Sequence, residues 1–415
     1  MKVLILCDMF PPAFGPRMGY LCKYLKQAGH TPVVITEHLP DETFVFLRGD
    51  AQVIYIRYYK AKQKIIQKLE WMYVFLLNAI FGYKDRKIYR EALKQTRKQT
   101  FDLVLCSTYR TFPLLAAQKV AKKTKLPLVV DLRDMIEQYT GDEFISYALP
   151  KLFGLEKVFV SAFKKRNLKQ RNRVLQQANA ITTISPWHVE ILRTYNPHVS
   201  LIYNGYDPDL FYPQSIERDQ FYITYTGRLL SLAMRNPDLL FQAVKKLSDE
   251  QVITPDTFQI RWFADEASCT LIQNEVSKYT IADFMSYPGY VPAADIPQIL
   301  NESAILLLLT NKADASGPKG IMTTKFFEAL AVEKPILCVK GDEGCLEEMI
   351  HHTQAGLSAH NENEVYEFIK MYYLQWKATK QVVSKVKQDE VKTFSRKEQA
   401  AQFIHIFEQI VKGNG

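Results

Sequence analysis

The sequence predicts an α/β protein with two doubly wound parallel-sheet domains. Three observations carry that prediction. Short apolar runs of strand length alternate with helix-patterned segments, as in parallel sheets covered by helices. The alternation restarts near residue 221. A chain of 415 residues is too long for one ordinary core.

The elements follow in order. Lys2–Cys7 is a continuous apolar run, as in a strand buried on both faces. The loop DMFPPAFGPRMG leads into a helix pattern over Met18–Gln27 that stops at Gly29. Pro32–Thr36, Asp102–Ser107, Leu126–Asp131 and Ala180–Ser185 read as further buried strands. In the second half Phe221–Gly227, Gln259–Ala264, Ile305–Thr310 and Pro335–Val339 are strand-like, and Pro237–Leu247 is helical. The turn-rich YNGYDPDLFYP, Tyr203–Pro213, marks the boundary. Ser395–Val411 is an amphipathic helix with Ser395 as N-cap and Glu398 at capping-box spacing. These readings place one domain at 1–205, a second at 206–390 and a last helix within 391–415.

Composition narrows the class. Apolar content of 47% and charged content of 23% are those of a globular protein. Cys7, Cys22, Cys106, Cys269, Cys338 and Cys345 are scattered without a C-x-x-C pair, which argues against a zinc site or disulfide framework and fits a reducing cytoplasm. MKVLILCD is too short for a signal peptide, and no run is long enough to span a bilayer. Residues 1–213 hold 32 Lys and Arg against 18 Asp and Glu, and the remainder 21 against 26. Two domains with different partners are expected. Lys60–Tyr89 and Lys151–Arg173 are basic and amphipathic. They suit either an anionic membrane surface or a helix packed on a sheet with a solvated basic face. No nucleic-acid reader motif accompanies them.

Several segments carry groups suited to chemistry. Gly15 and Gly19 flank Pro16-Arg17-Met18 before a helix, a place where backbone can approach an anion. The spacing is not G-x-G-x-x-G, which disfavours a nicotinamide dehydrogenase. VVDLRDMIEQY puts Asp131, Arg133 and Asp134 at the C-terminal end of a strand, where open α/β sheets bind ligands; a structural ion-pair network has the same composition. In TGRLLSLAMRNPDLL, Gly227 and Arg228 end a strand and Arg235 precedes a helix. Two such cations can clamp a diphosphate or be ordinary surface arginines. GIMTTKFFEAL places Gly320, Thr323 and Thr324 at a helix start, with free N–H groups for a phosphate. The helix dipole disfavours Lys325 there unless an anion compensates it. Glu328 lies among Phe326, Phe327, Ala329 and Leu330. It suits the two hydroxyls of a ribose, or an i,i+3 pair with Lys325.

These pieces keep the order of a known family. The first loop runs into GHTPVVIT; DLRD follows; ITTISPWHVEIL and LIYNGYDPDLFYP precede the boundary. YTGRLL…RNPDLLFQAV, YPGYVPAADIPQILNESAILLLL and TTKFFEALAVEKPILCV complete the set. Over nearly its whole length the chain resembles the group 1 (family 4) glycosyltransferases, retaining enzymes of the GT-B fold, and DLRD resembles their polysaccharide-biosynthesis branch. The family's signature pairs two glutamates; the second falls on Glu328 and the first on Gly320, as in the branch that uses glycine there.

The resemblance implies a UDP- or GDP-linked sugar donor, a saccharide or lipid-linked saccharide acceptor, and no metal or other cofactor. The donor would meet Gly15, Gly227, Arg228, Arg235, Gly320, Thr323, Thr324, Lys325 and Glu328. The acceptor side would be Arg17, Asp131, Arg133 and Asp134, and the catalytic groups Arg228, Lys325 and Asp134. The last helix would cross back onto the N-terminal domain. Work at the cytoplasmic face of a membrane, in capsule, exopolysaccharide or O-antigen assembly, is the setting implied. An epimerase on the same fold and an inactive partner subunit, the latter suggested by Gly320, are the rival readings.

Overall fold

The computed structural model describes residues 1–61, 63–109, 111–138, 155–310 and 320–413. The chain divides into two units: Met1–Tyr203 with Arg396–Gly415, and Asn204–Ser395.

The first unit holds a seven-stranded parallel sheet in the order β3-β2-β1-β4-β5-β6-β7. Its strands are β1 (Lys2–Cys7), β2 (Thr31–Glu37), β3 (Gln52–Ile56), β4 (Leu103–Thr108), β5 (Leu128–Leu132), β6 (Ala180–Thr183) and β7 (Val199–Leu201). Helices α1 (Pro16–Gln27), α2 (Lys64–Phe81), α3 (Tyr83–Lys98), α4 (Leu114–Thr124), α5 (Leu155–Leu175) and α6 (Pro186–Arg193) connect them. Val3 to Cys7 are wholly buried, which is why β1 is an unbroken apolar run. Strand β6 stops at Thr183, short of the expected Ser185, because Ser185 is the N-cap of α6 and Pro186 opens that helix.

The second unit holds a six-stranded parallel sheet in the order β10-β9-β8-β11-β12-β13. Its strands are β8 (Phe221–Thr226), β9 (Phe258–Phe263), β10 (Met285–Ser286), β11 (Ile305–Leu309), β12 (Ile336–Val339) and β13 (Gly356–Ala359). Its helices are α7 (Asp238–Asp249), α8 (Glu266–Val276), α9 (Ile296–Asn301), α10 (Thr324–Ala331), α11 (Cys345–Thr353), α12 (Glu362–Thr379) and α13 (Gln388–Thr393). In each sheet the strand order reverses once, between β1 and β4 and between β8 and β11. Ligands bind outside the carboxyl ends of strands at such a point.

The last helix, α14 (Arg396–Gly413), returns to the first unit and packs on α1. Phe403 and Phe407 enter the core that contains Val3 and Ile5. Each fully buried phenylalanine contributes about 2–3 kcal/mol. Residues 391–395 sit with the second unit instead of with that helix: Val391 is buried, and Phe394 packs on Phe327 at 5.2 Å between ring centres.

Candidate functional site

The site in the second unit is built where β8 and β11 diverge. Gly227 follows β8 with φ of +113°. A Cβ at that position would stand 2.0 Å from Lys325 Nζ. Only glycine accepts both the backbone angle and the approach. Lys325 lies in the first turn of α10, and its ammonium sits over the Tyr225 ring, 5.0 Å from the centre. Burial, then repulsion from Arg235, pulls its pKa down to about 7, against the opposing charge of Glu328. Tyr225, Arg235, Thr310, Ile321, Thr323 and Lys325 line one recess.

The recess has the character of an anion site. Thr323 caps α10 without a side-chain hydrogen bond, and no acidic residue stands in the first turn. The free N–H groups and the helix dipole therefore favour negative charge there. Gly320, with φ of +66°, adopts the left-handed turn that leads in. Glu328 is half-buried, whereas Phe326, Phe327, Ala329 and Leu330 are buried. Its carboxylate is thus outside the dry core, one turn beyond Lys325.

Arg228 and Arg235 part company. The Arg228 side chain is 68% exposed and pairs with Asp265 at 3.2 Å. Arg235 donates to the Arg228 carbonyl, which also accepts from Tyr225 Oη at 2.8 Å. Only Arg235 is brought to Lys325. The structure thus gathers Gly227, Arg235, Thr323 and Lys325, with Glu328 close by.

In the first unit the predicted ligand groups are partly turned inward. Arg17 Nε and Nη2 donate to both oxygens of Asp131 at 3.1 and 3.0 Å. Arg17 also donates to the carbonyls of Ile202 and Tyr203, each at 2.9 Å, and lies over the Phe403 ring. Asp131 accepts further from Ser107 and Thr182, both at 2.8 Å, and is wholly buried. Burial pushes its carboxyl up, but the Arg17 charge and these hydrogen bonds outweigh that and hold it below the usual value. This corrects the expectation for Arg17 and Asp131: they form an internal tie from α1 through β5 to the last helix. Gly15 has a local reason to be glycine. A Cβ there would come within 2.8 Å of the Met9 carbonyl oxygen, so this chain's own backbone explains the glycine.

Arg133 and Asp134 lie at the sheet edge. Arg133 donates to Asp8, at the end of β1, and lies over the Tyr109 ring. Burial opposes the Arg133 charge, and Asp8 more than restores it. Asp8 also accepts from the Tyr109 N–H at 3.0 Å, directly at the β1–β4 switch. Asp134 accepts from Gln138 at 3.3 Å, and Gln138 lies 3.1 Å from His188 Nε2. His188 Nδ1 lies 3.0 Å from Thr183 Oγ1. Burial lowers the His188 pKa to about 4, so this histidine is neutral near pH 7. Glu37, at the end of β2, pairs with Lys84, and its carboxyl is pushed up by burial in spite of that charge.

Sequence reasoning missed Asp8, Glu37, Lys84, Gln138 and His188. Asp8 and Glu37 had a signal, a carboxylate closing a buried strand. Lys84 had none among the many lysines of its segment.

The described residues cover the basic segments in part. Helix α2 turns an apolar face outward: Ile65, Leu69, Met72, Tyr73, Leu76 and Ile80 are exposed, Ile65 by 77%. They fall on one side of the helix. Lys68 and Arg86 are exposed as well, so the first segment presents both hydrocarbon and basic groups to solvent. The start of the second segment, 151–154, lies outside the described residues. No helix among the described residues is long and apolar enough to cross a membrane.

Residues 17–210 match the family model described as Glycosyltransferase Family 4. A comparison with curated proteins returned no match. Among solved structures the chain is similar to HepE from Anabaena in complex with UDP, with TM-score 0.66, 15% identity, and 99% of this chain and 100% of that one covered. It is similar to a glycosyltransferase from Rickettsia africae, with TM-score 0.62, 16% identity, and coverage of 99% and 98%. It is also similar to sucrose-phosphate synthase from Thermosynechococcus elongatus, with TM-score 0.64, 14% identity, and full coverage of both chains at 100%. At such identities these structures show the shared fold alone. Residues 17–210 are thus similar to Glycosyltransferase Family 4, and the whole chain has the GT-B fold of two parallel-sheet units that these structures share.

Proposed function

We propose that the protein transfers a sugar, with retention, from a UDP- or GDP-linked donor to a saccharide or lipid-linked saccharide in cell-surface polysaccharide assembly. The observation that carries this reading is the recess at the start of α10, where Lys325 and Arg235 face free helix N–H groups. A nucleoside diphosphate supplies the anion such a recess wants. HepE, solved with UDP, makes UDP the first ligand to test.

The chemistry follows from charge. As the glycosidic bond to phosphate breaks, negative charge grows on the departing diphosphate and positive charge on the sugar ring. Arg235, Lys325 and the amides near Thr323 and Thr324 stabilise the former, so the reading assigns that task to side chains and needs no metal ion. Exposed Arg228 swings from Asp265 to join them. Glu328 accepts hydrogen bonds from the ribose hydroxyls. The acceptor hydroxyl passes its proton to the leaving phosphate, with Asp134 and Arg133 orienting it. The exposed face of α2 rests on an anionic membrane at its cytoplasmic side, where lipid-linked acceptors are held.

The test is incubation with a panel of UDP- and GDP-sugars and a membrane extract, followed by nucleotide release and the anomeric proton signal of the product. Release of one nucleotide with a retained anomer supports the proposal. Interconversion of sugar nucleotides without release would establish the epimerase reading. No binding of any nucleotide would establish a partner subunit.

A further inference from the structure

The second unit carries a cavity at the sheet edge opposite the donor recess. Gln220, Ala304 and Lys334 line it, and they stand just before the amino ends of β8, β11 and β12. The donor recess lies at the carboxyl ends of β8 and β11, so the length of the strands, about 17–20 Å, separates the two. The cavity holds about 380 Å³, within the roughly 300–1,000 Å³ of small-ligand sites. Two walls come from the segments near which the chain enters and leaves this unit, 213–220 and 380–388. The Gln214 N–H donates to Asn301 Oδ1 at 2.7 Å and fixes the first. The Lys387 N–H donates to the Thr353 carbonyl at 3.0 Å and fixes the second.

The charge of the lining is not balanced. Arg218, Lys334 and Lys380 face it together with two carboxylates, Glu302 and Glu333. Glu302 is already taken: it accepts from Arg218, and from Arg261 and Gln298 at 3.1 Å each. Arg218 Nε is nevertheless buried without a hydrogen-bond partner, so Glu302 does not satisfy that guanidinium in full. Glu333 accepts from Gln388 at 3.0 Å. Lys334 is half-buried, and burial alone lowers its pKa, with no neighbouring charge acting against it. A desolvated ammonium in that position calls for an anion. Lys380 is exposed, and its Nζ lies over the buried Trp376 ring, 4.3 Å from the centre, a contact that leaves its charge open to a ligand. Gln214, Ser215, Gln381 and Ser384 add amide and hydroxyl groups to the two walls.

We propose that this cavity binds a small phosphate monoester whose body carries hydroxyl groups. The phosphate meets Lys334 and Lys380, and the hydroxyls meet the amide and hydroxyl side chains of the walls. The two ammonium groups select an anion, and the polar walls select a hydroxylated body over a hydrocarbon one. The site is separate from the donor recess and stands whichever nucleotide the donor carries. A ligand there bridges 213–220 and 380–388, so binding orders both segments at once.

The full chain is titrated by calorimetry at low salt with glucose 6-phosphate, glycerol 3-phosphate, inorganic phosphate and glucose, with and without UDP. At least one of the two esters is expected to saturate, inorganic phosphate to bind about tenfold more weakly or worse, and glucose to give no heat. Hydrogen exchange should slow in 213–220 and 380–388 when the ester binds, and UDP should leave its affinity unchanged. Lys334→Met should weaken the ester about tenfold or more. The melting temperature of the free variant should hold or rise, because an uncompensated charge is gone. Lys380→Gln, at an exposed position, should also weaken the ester and leave the fold intact. Failure of both esters to saturate overturns the proposal, as does unchanged ester affinity in both variants. A lower melting temperature for Lys334→Met with unchanged affinity would make that lysine a support for the end of α10 only. Phosphate bound as tightly as the esters would mean an adventitious ion only. Displacement of the ester by UDP would move it to the donor recess and overturn the second site, while supporting the donor reading.

Discussion

The Nζ of Lys325 occupies the space that a side chain on Gly227 would need, 2.0 Å from the Cβ position. The two residues belong to different βα units of one sheet, and the glycine keeps the lysine pointed into the recess. Gly227→Ala forces the ammonium out and also sets alanine at a positive φ, which costs about 1–2 kcal/mol. The expected result is a modest drop in melting temperature and at least a tenfold loss in UDP affinity by calorimetry. Unchanged affinity would detach Lys325 from the donor.

Donor binding should depend on pH through the same lysine. Its pKa of about 7 in the free protein is far below the ordinary 10.5. An anionic diphosphate needs the protonated form and raises that pKa on binding. The proton is in place below about pH 7 and must be taken up above it, so affinity falls as pH rises. Between pH 7.5 and 9 the loss should approach tenfold per unit. Lys325→Met should bind weakly and flatten the profile.

The buried pair of Arg17 and Asp131 is expected to matter for folding. Arg17→Met leaves Asp131 buried and uncompensated, which costs about 3–5 kcal/mol. Urea denaturation at pH 7 measures it. A loss below about 1 kcal/mol would mean that the carboxylate is free to serve a ligand.

Neutral His188 predicts a second pH effect. Its folded pKa is lowered from 6.5 to about 4. The unfolded chain therefore binds a proton first as pH falls, and stability drops from about pH 6.5 towards 4. The full loss is up to roughly 3 kcal/mol. His188→Gln should remove that part of the acid sensitivity in denaturant melts run from pH 7 to 4.

The apolar face of α2 makes a separable prediction. Leu69→Glu with Leu76→Glu alters exposed positions and should change stability by no more than about 0.5 kcal/mol per site. Flotation with anionic liposomes at low salt should nevertheless be lost. Retained flotation would move the contact elsewhere.

Most of the fold was legible because strands buried on both faces announce themselves as apolar runs, as Lys2–Cys7 and Ile305–Leu309 do. The turn at Gly227 and the cap at Thr323 were legible for a related reason: a glycine after an apolar run and a threonine before an apolar helix pattern mark a strand end and a helix start. The amphipathic pattern of α14 does not say which core receives it, and only the family resemblance placed it on the first unit. Two things were hidden. The same pattern in α2 does not say that the face stays uncovered. Arg17 and Asp131 have the residue types of a ligand clamp, and only burial with four partner groups around them reveals an internal tie.

The central claim is that the recess beside Lys325 binds a nucleoside diphosphate with Glu328 on its ribose. A thermal-shift series with UDP, GDP and their sugar conjugates on wild type and Glu328→Ala tests it most directly. At 100 times the dissociation constant a ligand stabilises by about 2.7 kcal/mol. One nucleotide should stabilise the wild type clearly and the variant far less. No shift with any nucleotide, or an equal shift in both proteins, would contradict the account.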